Sequence, residues 1–229
     1  MPETTETAVR AALFAMQDPA YRTFQSGLIP TLPRERIIGV RMPALRRYAA
    51  AFSRTPQAAE FLRLLPHSFY EENNLHALLL ERIPDFDRAV AGTDAFLSFV
   101  DNWATCDLLA PRAFAGAPAG LLPQVRRWLA SGQTYTVRFG IGVLMRHYLG
   151  ERFSPEYPAA VARLCGEEYY VNMMIAWYFA TALAFQYRAV LPYLTDRRLP
   201  TWVHRMTIRK AVESRRLTPG QKAELRACR

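Results

Sequence analysis

The sequence contains few cysteines and almost no lysine. Cys106, Cys165 and Cys228 are widely spaced and form no CxxC pair, which argues against a disulfide framework or a cysteine-based zinc site. Lysine occurs only at positions 210 and 222, although lysine and arginine together number 29. The opening residues, MPETTETAVR, lack the apolar core of a secretion signal. These absences predict a reducing, cytoplasmic location.

Several kinds of catalytic motif are also missing. There is no glycine-rich phosphate loop, no Ser–His–Asp order and no metal-ligand spacing among the histidines. We therefore expect no metal and no cofactor, and we interpret His67, His76, His147 and His204 as structural or surface residues.

Strand-like alternation is almost absent, whereas apolar residues recur at helical spacing along most of the chain. The pattern predicts helices that begin at intervals of 31 to 34 residues, near Tyr70, Trp103, Thr134, Glu168 and Thr201. This is the length of a two-helix repeat, and such units bury their apolar faces by stacking. We therefore predict one all-α domain over residues 1–229, a solenoid of stacked antiparallel helix pairs, with capping helices in 1–53 and the repeat array in 54–229.

Residues 169–187 form a run of 19 residues without a charge, which is long enough to suggest a membrane span. The run contains Asn172, Thr181 and Gln186, and it lies between repeats on both sides. A helix that is apolar all round also suits the middle of a stack, where neighbours cover both flanks. We therefore expect no contact with a membrane.

The formal net charge is +9, and most of it comes from the C-terminal end. Residues 196–229 contain ten basic side chains against Asp196, Glu213 and Glu224, which amounts to +7. A basic surface of this kind usually binds a polyanion, most often nucleic acid. A solvated basic helix without a partner is the alternative interpretation.

Two apolar helices each contain an isolated charge. Asp107 is the only charge after Asp101 in DNWATCDLLAP (101–111), with Trp103 four residues earlier on the same face. Arg138 is the only charge in TYTVRFGIGVLM (134–145), and Trp177 lies in the uncharged run that follows. A buried ion needs a partner or a function. The four residues could line one concave wall, or they could form a salt bridge and two core fillers.

These segments resemble the DNA alkylation repair glycosylases of the AlkD family, which are built from HEAT-like repeats. The resemblance rests on GVRMPALR (39–46), on Trp103 and Asp107, on Arg138, and on Trp177 in NMMIAWYFATAL. It runs in order across residues 8–215 and indicates a divergent bacterial branch. The resemblance implies a concave basic groove for double-stranded DNA and hydrolysis of the N-glycosidic bond of cationic N3- or N7-alkylated purines.

The resemblance also implies a role for each site residue. Asp107 corresponds to the catalytic carboxylate, and Trp103 and Trp177 correspond to the aromatic walls that contact the lesion. Arg138 and Arg146 correspond to contacts with the DNA backbone. We expect a monomer that is associated with the nucleoid when it is bound to DNA.

One position departs from the family pattern. Many active relatives have an arginine three residues after the second tryptophan, and here this residue is Ala180. Two further hypotheses therefore stay open: a DNA-binding protein that recognises distorted or branched DNA without catalysis, and a protein-interaction scaffold, since a helical solenoid does not determine function.

Overall fold

A computed structural model describes residues 4–228, and in this range all regular structure is helical apart from one isolated β-bridge, Gln17 to Val40. The prediction of an all-α chain built from a helical repeat is confirmed. Nowhere in this range is there a helix with the length and apolar character that a membrane crossing requires. The chain divides into two compact units, the first ending at Pro118 and the second beginning at Ala119.

The helices of the first unit are α1 (Thr5–Ala15), α2 (Pro19–Leu28), α3 (Met42–Phe52), α4 (Pro56–Phe61), α5 (Tyr70–Leu80), α6 (Phe86–Leu97), α7 (Trp103–Leu108) and α8 (Ala113–Gly116). Helix α9 (Pro118–Leu129) begins at the division between the units. The second unit continues with α10 (Thr134–His147), α11 (Glu156–Ala162), α12 (Tyr169–Phe185), α13 (Tyr187–Val190), α14 (Pro192–Thr195), α15 (Thr201–Glu213) and α16 (Pro219–Ala227).

The predicted helix starts agree closely with the structure. Helices α5, α7, α10 and α15 begin at the predicted residues, and the predicted Glu168 is the N-cap of α12. Local chemistry explains several starts, because a side-chain oxygen that accepts a first-turn N–H group stabilises a helix N-terminus. Thr4, Asp18, Asp85, Asn102 and Thr218 act in this way. The division into capping helices 1–53 and a repeat array 54–229 stays a prediction.

The GVRMPALR segment of the first unit is held by a buried carboxylate. Glu71 of α5 is fully buried and accepts the backbone N–H groups of Ile38, Gly39 and Val40 at 2.7–3.2 Å. Burial raises the pKa of the Glu71 carboxyl group, and the three N–H donors partly offset that rise. Gly39 adopts a φ of 95°, a conformation that a side chain disfavours. These contacts give the segment a structural role in the first unit.

Helix α12 lies at the centre of the second unit, between α10 and α15. Tyr178 and Phe179 are fully enclosed, as the uncharged sequence of this helix predicts. Two glycines of α10 allow close packing with neighbouring helices. A Cβ atom at Gly140 would lie 3.0 Å from a Leu129 methyl carbon, and one at Gly142 would lie 3.0 Å from the Met174 methyl carbon.

Candidate functional site

Helix α7 presents Trp103 and Asp107 in the first unit. The helix has only six residues, so its position depends on tertiary contacts more than on helix propensity. Asn102 is fully buried and caps α7 by accepting the Thr105 N–H group at 2.9 Å. The Thr105 hydroxyl donates to the Asn74 side-chain oxygen of α5 at 2.8 Å. This buried polar chain anchors α7 to the core of the first unit.

Trp103 and Asp107 are both half-buried, so neither is sealed beneath packed side chains. The Trp103 indole Nε1 donates to the Leu28 carbonyl group at 3.1 Å, which fixes the ring against the end of α2. Asp107 lies four residues later on the same helix. The spacing places a carboxylate and an indole on one helix face, as predicted.

Arg138 is buried in the second unit, with only 3% of its surface exposed. Its Nη1 donates to the Tyr170 carbonyl group at 2.7 Å, so it connects α10 to the first turn of α12. The charge is therefore part of the packing between two repeat helices. Its predicted contact with the DNA backbone stays a prediction.

Arg146 and Trp177 line one groove of the second unit. Trp177 is 41% exposed, whereas its neighbours Ala176 and Tyr178 are fully buried, so this indole is the side chain that α12 turns outward here. The groove has a volume of about 610 Å³. Its lining is largely apolar, with charged side chains among it: Met145, Arg146, Trp177, Ala180, Thr181, Ala184, Phe185, Lys210, Glu213, Ser214 and Arg216.

The groove contains two cations and one aromatic residue that the sequence did not single out. Lys210 comes from α15, and Arg216 follows that helix. The Arg216 guanidinium carbon lies 4.9 Å from the centroid of the Phe185 ring, which is itself 48% exposed. The excess of basic residues in 196–229 was the available signal, but it could not tell which of ten cations faces Trp177. Ala180 also lines this groove and is 5% exposed.

The predicted site residues are thus distributed over both units. Trp103 and Asp107 share α7, and Arg146 and Trp177 share the groove of the second unit. Arg138 lies two turns before Arg146 on α10. Convergence of all five on one surface stays a prediction.

Comparison with known proteins identifies a family for this chain. Residues 9–214 match the family described as DNA alkylation repair enzyme, and this match covers most of the 229 residues. No curated protein sequence matches the chain. The length of the family match shows that the chain belongs to the DNA alkylation repair enzyme family.

Proposed function

We propose that this protein is a DNA glycosylase that hydrolyses the N-glycosidic bond of cationic N3- or N7-alkylated purines in duplex DNA. Membership in the family gives a role in DNA alkylation repair, with DNA as the partner. The observation that carries the finer proposal is the exposed Trp177 indole, which lies among Arg146, Lys210 and Arg216 in an open groove. Such a surface suits a cationic base that is attached to a phosphate backbone.

The reaction requires little acid catalysis, because an alkylated purine already has a positive charge. The glycosidic bond breaks with its electron pair going to the purine, which leaves as a neutral base. Positive charge develops on the sugar, as in glycoside hydrolysis. Water then adds at C1′ of the deoxyribose and loses a proton, leaving an abasic site.

In this reaction Asp107 stabilises the positive sugar and accepts the proton from the attacking water. Trp103 and Trp177 supply ring faces to the cationic base, an interaction of roughly 0.5–2 kcal/mol that depends on desolvation. Arg146, Lys210 and Arg216 bind phosphates beside Trp177. Arg138 acts from a buried position, where it holds α10 against the start of α12.

A base-release assay tests this function. Duplex DNA that contains 7-methylguanine or 3-methyladenine is incubated with the wild type and with Asp107→Asn, under salt conditions in which both bind DNA. We expect release by the wild type and a loss of at least 100-fold in Asp107→Asn, because the amide cannot stabilise the positive sugar by charge. Asp87→Asn is the matched control, since Asp87 is exposed on α6 and should leave release unchanged.

Circular dichroism spectra of both variants should match that of the wild type, so that a loss of release can be separated from unfolding. The glycosylase proposal fails if the wild type releases neither base while it binds the duplex.

Ala180 favours one alternative, a DNA-binding protein without catalysis. This small side chain lines the groove where many active relatives have an arginine. The alternative predicts salt-dependent binding to DNA, no base release, and identical behaviour of the wild type and Asp107→Asn. A preference for branched over linear duplexes would indicate recognition of DNA structure.

A further inference from the structure

The Gln25 amide of α2 closes a ring of hydrogen bonds between three helices of the first unit. Its Nε2 donates to the Tyr70 hydroxyl group of α5 at 3.2 Å. Asn74 lies one turn after Tyr70 on α5, and its side-chain oxygen accepts from the Thr105 hydroxyl group of α7 at 2.8 Å. The Trp103 indole of α7 in turn donates to the last residue of α2. Each of the helices α2, α5 and α7 is therefore hydrogen-bonded to the other two.

The side chains of this ring are buried. Gln25 and Tyr70 are nearly enclosed, and Asn74 and Thr105 are enclosed almost completely. Hydrogen bonds in such a low-dielectric interior are stronger than in water, and leaving one of them unmade is costly. Apolar packing acts in the same direction, because Ala104 of α7 packs against the apolar cluster that contains Tyr70. The ring therefore resists any displacement of α7 relative to α2 and α5.

The position of Asp107 follows that of α7, which has only six residues. A helix of this length is not stable without tertiary contacts. Thr105 lies two residues before Asp107, and its hydroxyl group also accepts from the Nδ2 of the capping residue Asn102 at 3.0 Å. A displacement of about 1 Å at a catalytic group can cost about 100-fold in rate. The hydrogen bonds of Thr105 thus bear directly on where the carboxylate lies.

We propose that Thr105, Asn74 and Tyr70 are positioning residues for Asp107. They fix α7 against α2 and α5, so that the carboxylate is held in place before positive charge develops on the sugar. The role rests on the proposed glycosylase function. It assigns to that reaction three buried side chains that act through Asp107 rather than by touching the substrate.

The first experiment compares kcat and KM for release of 7-methylguanine by the wild type, Thr105→Val and Thr105→Ser. Valine keeps the shape of the side chain without its hydroxyl group, and we expect kcat to fall about 10- to 100-fold while KM changes by less than about threefold. Thr105→Ser retains the hydroxyl group and should recover kcat to within about threefold of the wild type. Thr93→Val is the matched control and should leave kcat unchanged. Thr93 of α6 is equally buried, but its hydroxyl group has no hydrogen-bond partner within residues 4–228.

The second experiment separates positioning from folding. Thr105→Val is combined with Asp107→Asn, and the residual base release is measured in single turnovers, with spontaneous loss of the base subtracted. If Thr105 acts through the Asp107 carboxylate, its replacement has little left to impair and should lower release by less than about twofold in this background. A purely structural role would give the same fold loss whether Asp107 is present or not, and that result would overturn the proposal.

Tyr70→Phe provides a second test, which decides the matter if circular dichroism shows that Thr105→Val does not fold. It removes only the hydroxyl group that accepts from Gln25. We expect a loss of about fivefold in kcat, again only when Asp107 is present. A wild type that releases no base would refute the glycosylase function and this role with it. Release by the wild type, with kcat unchanged in Thr105→Val and Tyr70→Phe, would refute the positioning role alone.

Discussion

Lowering the pH from 7.5 to 5 should destabilise the first unit through a buried histidine pair. The Nε2 of His67 lies 2.9 Å from the Nδ1 of His76, so one ring donates and the other accepts. Phe61 stacks on His67 at 4.5 Å, and Phe96 stacks on His76 at 4.2 Å. Burial lowers the pKa of His67 to about 4 and the pKa of His76 to about 3.

The sign follows from proton binding. Below the ordinary histidine pKa of 6.5 the unfolded chain binds protons that the folded chain does not, so stability falls as the pH falls. The loss amounts to about 1.4 kcal/mol per pH unit for each imidazole, until the folded-state pKa is reached. At pH 5 each histidine therefore costs about 2 kcal/mol, and the pair about 4 kcal/mol. That is a large fraction of a typical stability of 5–15 kcal/mol.

The measurement is urea unfolding at several pH values between 7.5 and 5, for the wild type and for His67→Leu/His76→Leu. Replacing both partners leaves no unpaired buried nitrogen, so the double variant should stay folded at neutral pH. Its stability should change far less with pH than that of the wild type. The raised pKa of Glu71 makes folding more favourable at low pH, but it is present in both proteins and cancels in the comparison. If the wild type and the double variant lost equal stability on acidification, the buried histidine pair would not be its cause.

Two further predictions concern single substitutions. Gly39→Ala should lower the free energy of unfolding by about 2–5 kcal/mol in urea titrations, since Gly39 has a φ of 95° and a new Cβ atom would lie 2.6 Å from the Arg22 Cβ atom. Gly27→Ala in α2 should instead raise the free energy of unfolding by up to about 1 kcal/mol. A Cβ atom added there would meet no atom within 4 Å beyond its chain neighbours and its own helix backbone. Ala180→Arg should raise the salt dependence of DNA binding by about one phosphate contact, because it adds a cation to the groove. Ala189→Arg adds the same charge at an exposed position outside that groove, and it should leave the salt dependence of DNA binding unchanged. Equal salt slopes for the two variants would contradict the placement of DNA in the groove.

Much of the fold could be predicted from the sequence because its signals are local. Prolines, cap residues and apolar periodicity act within a few positions, and they gave the starts of α5, α7, α10 and α15. The uncharged run in α12 was correctly interpreted as a helix covered by its neighbours.

The contacts that hold the site were not predictable in the same way. Glu71 accepts N–H groups that lie more than 30 positions earlier, and Asn74 contacts Thr105 across a similar separation. Nothing in the sequence of α5 distinguishes these buried polar residues from those of an exposed helix face. The groove cation Lys210 was missed for a related reason, because its direction depends on how α15 packs against α12.

The two isolated charges show that one sequence pattern arises from different physical requirements. Arg138 is 3% exposed and donates to a carbonyl group of the next repeat helix, so its removal would take away a contact that holds α10 against α12. Asp107 is half-exposed on a short helix that Asn102 and Thr105 anchor to α5. A loss of base release in an Arg138 variant would therefore mix catalysis with folding. A loss in Asp107→Asn, with the helix anchor intact, would report on the chemistry itself.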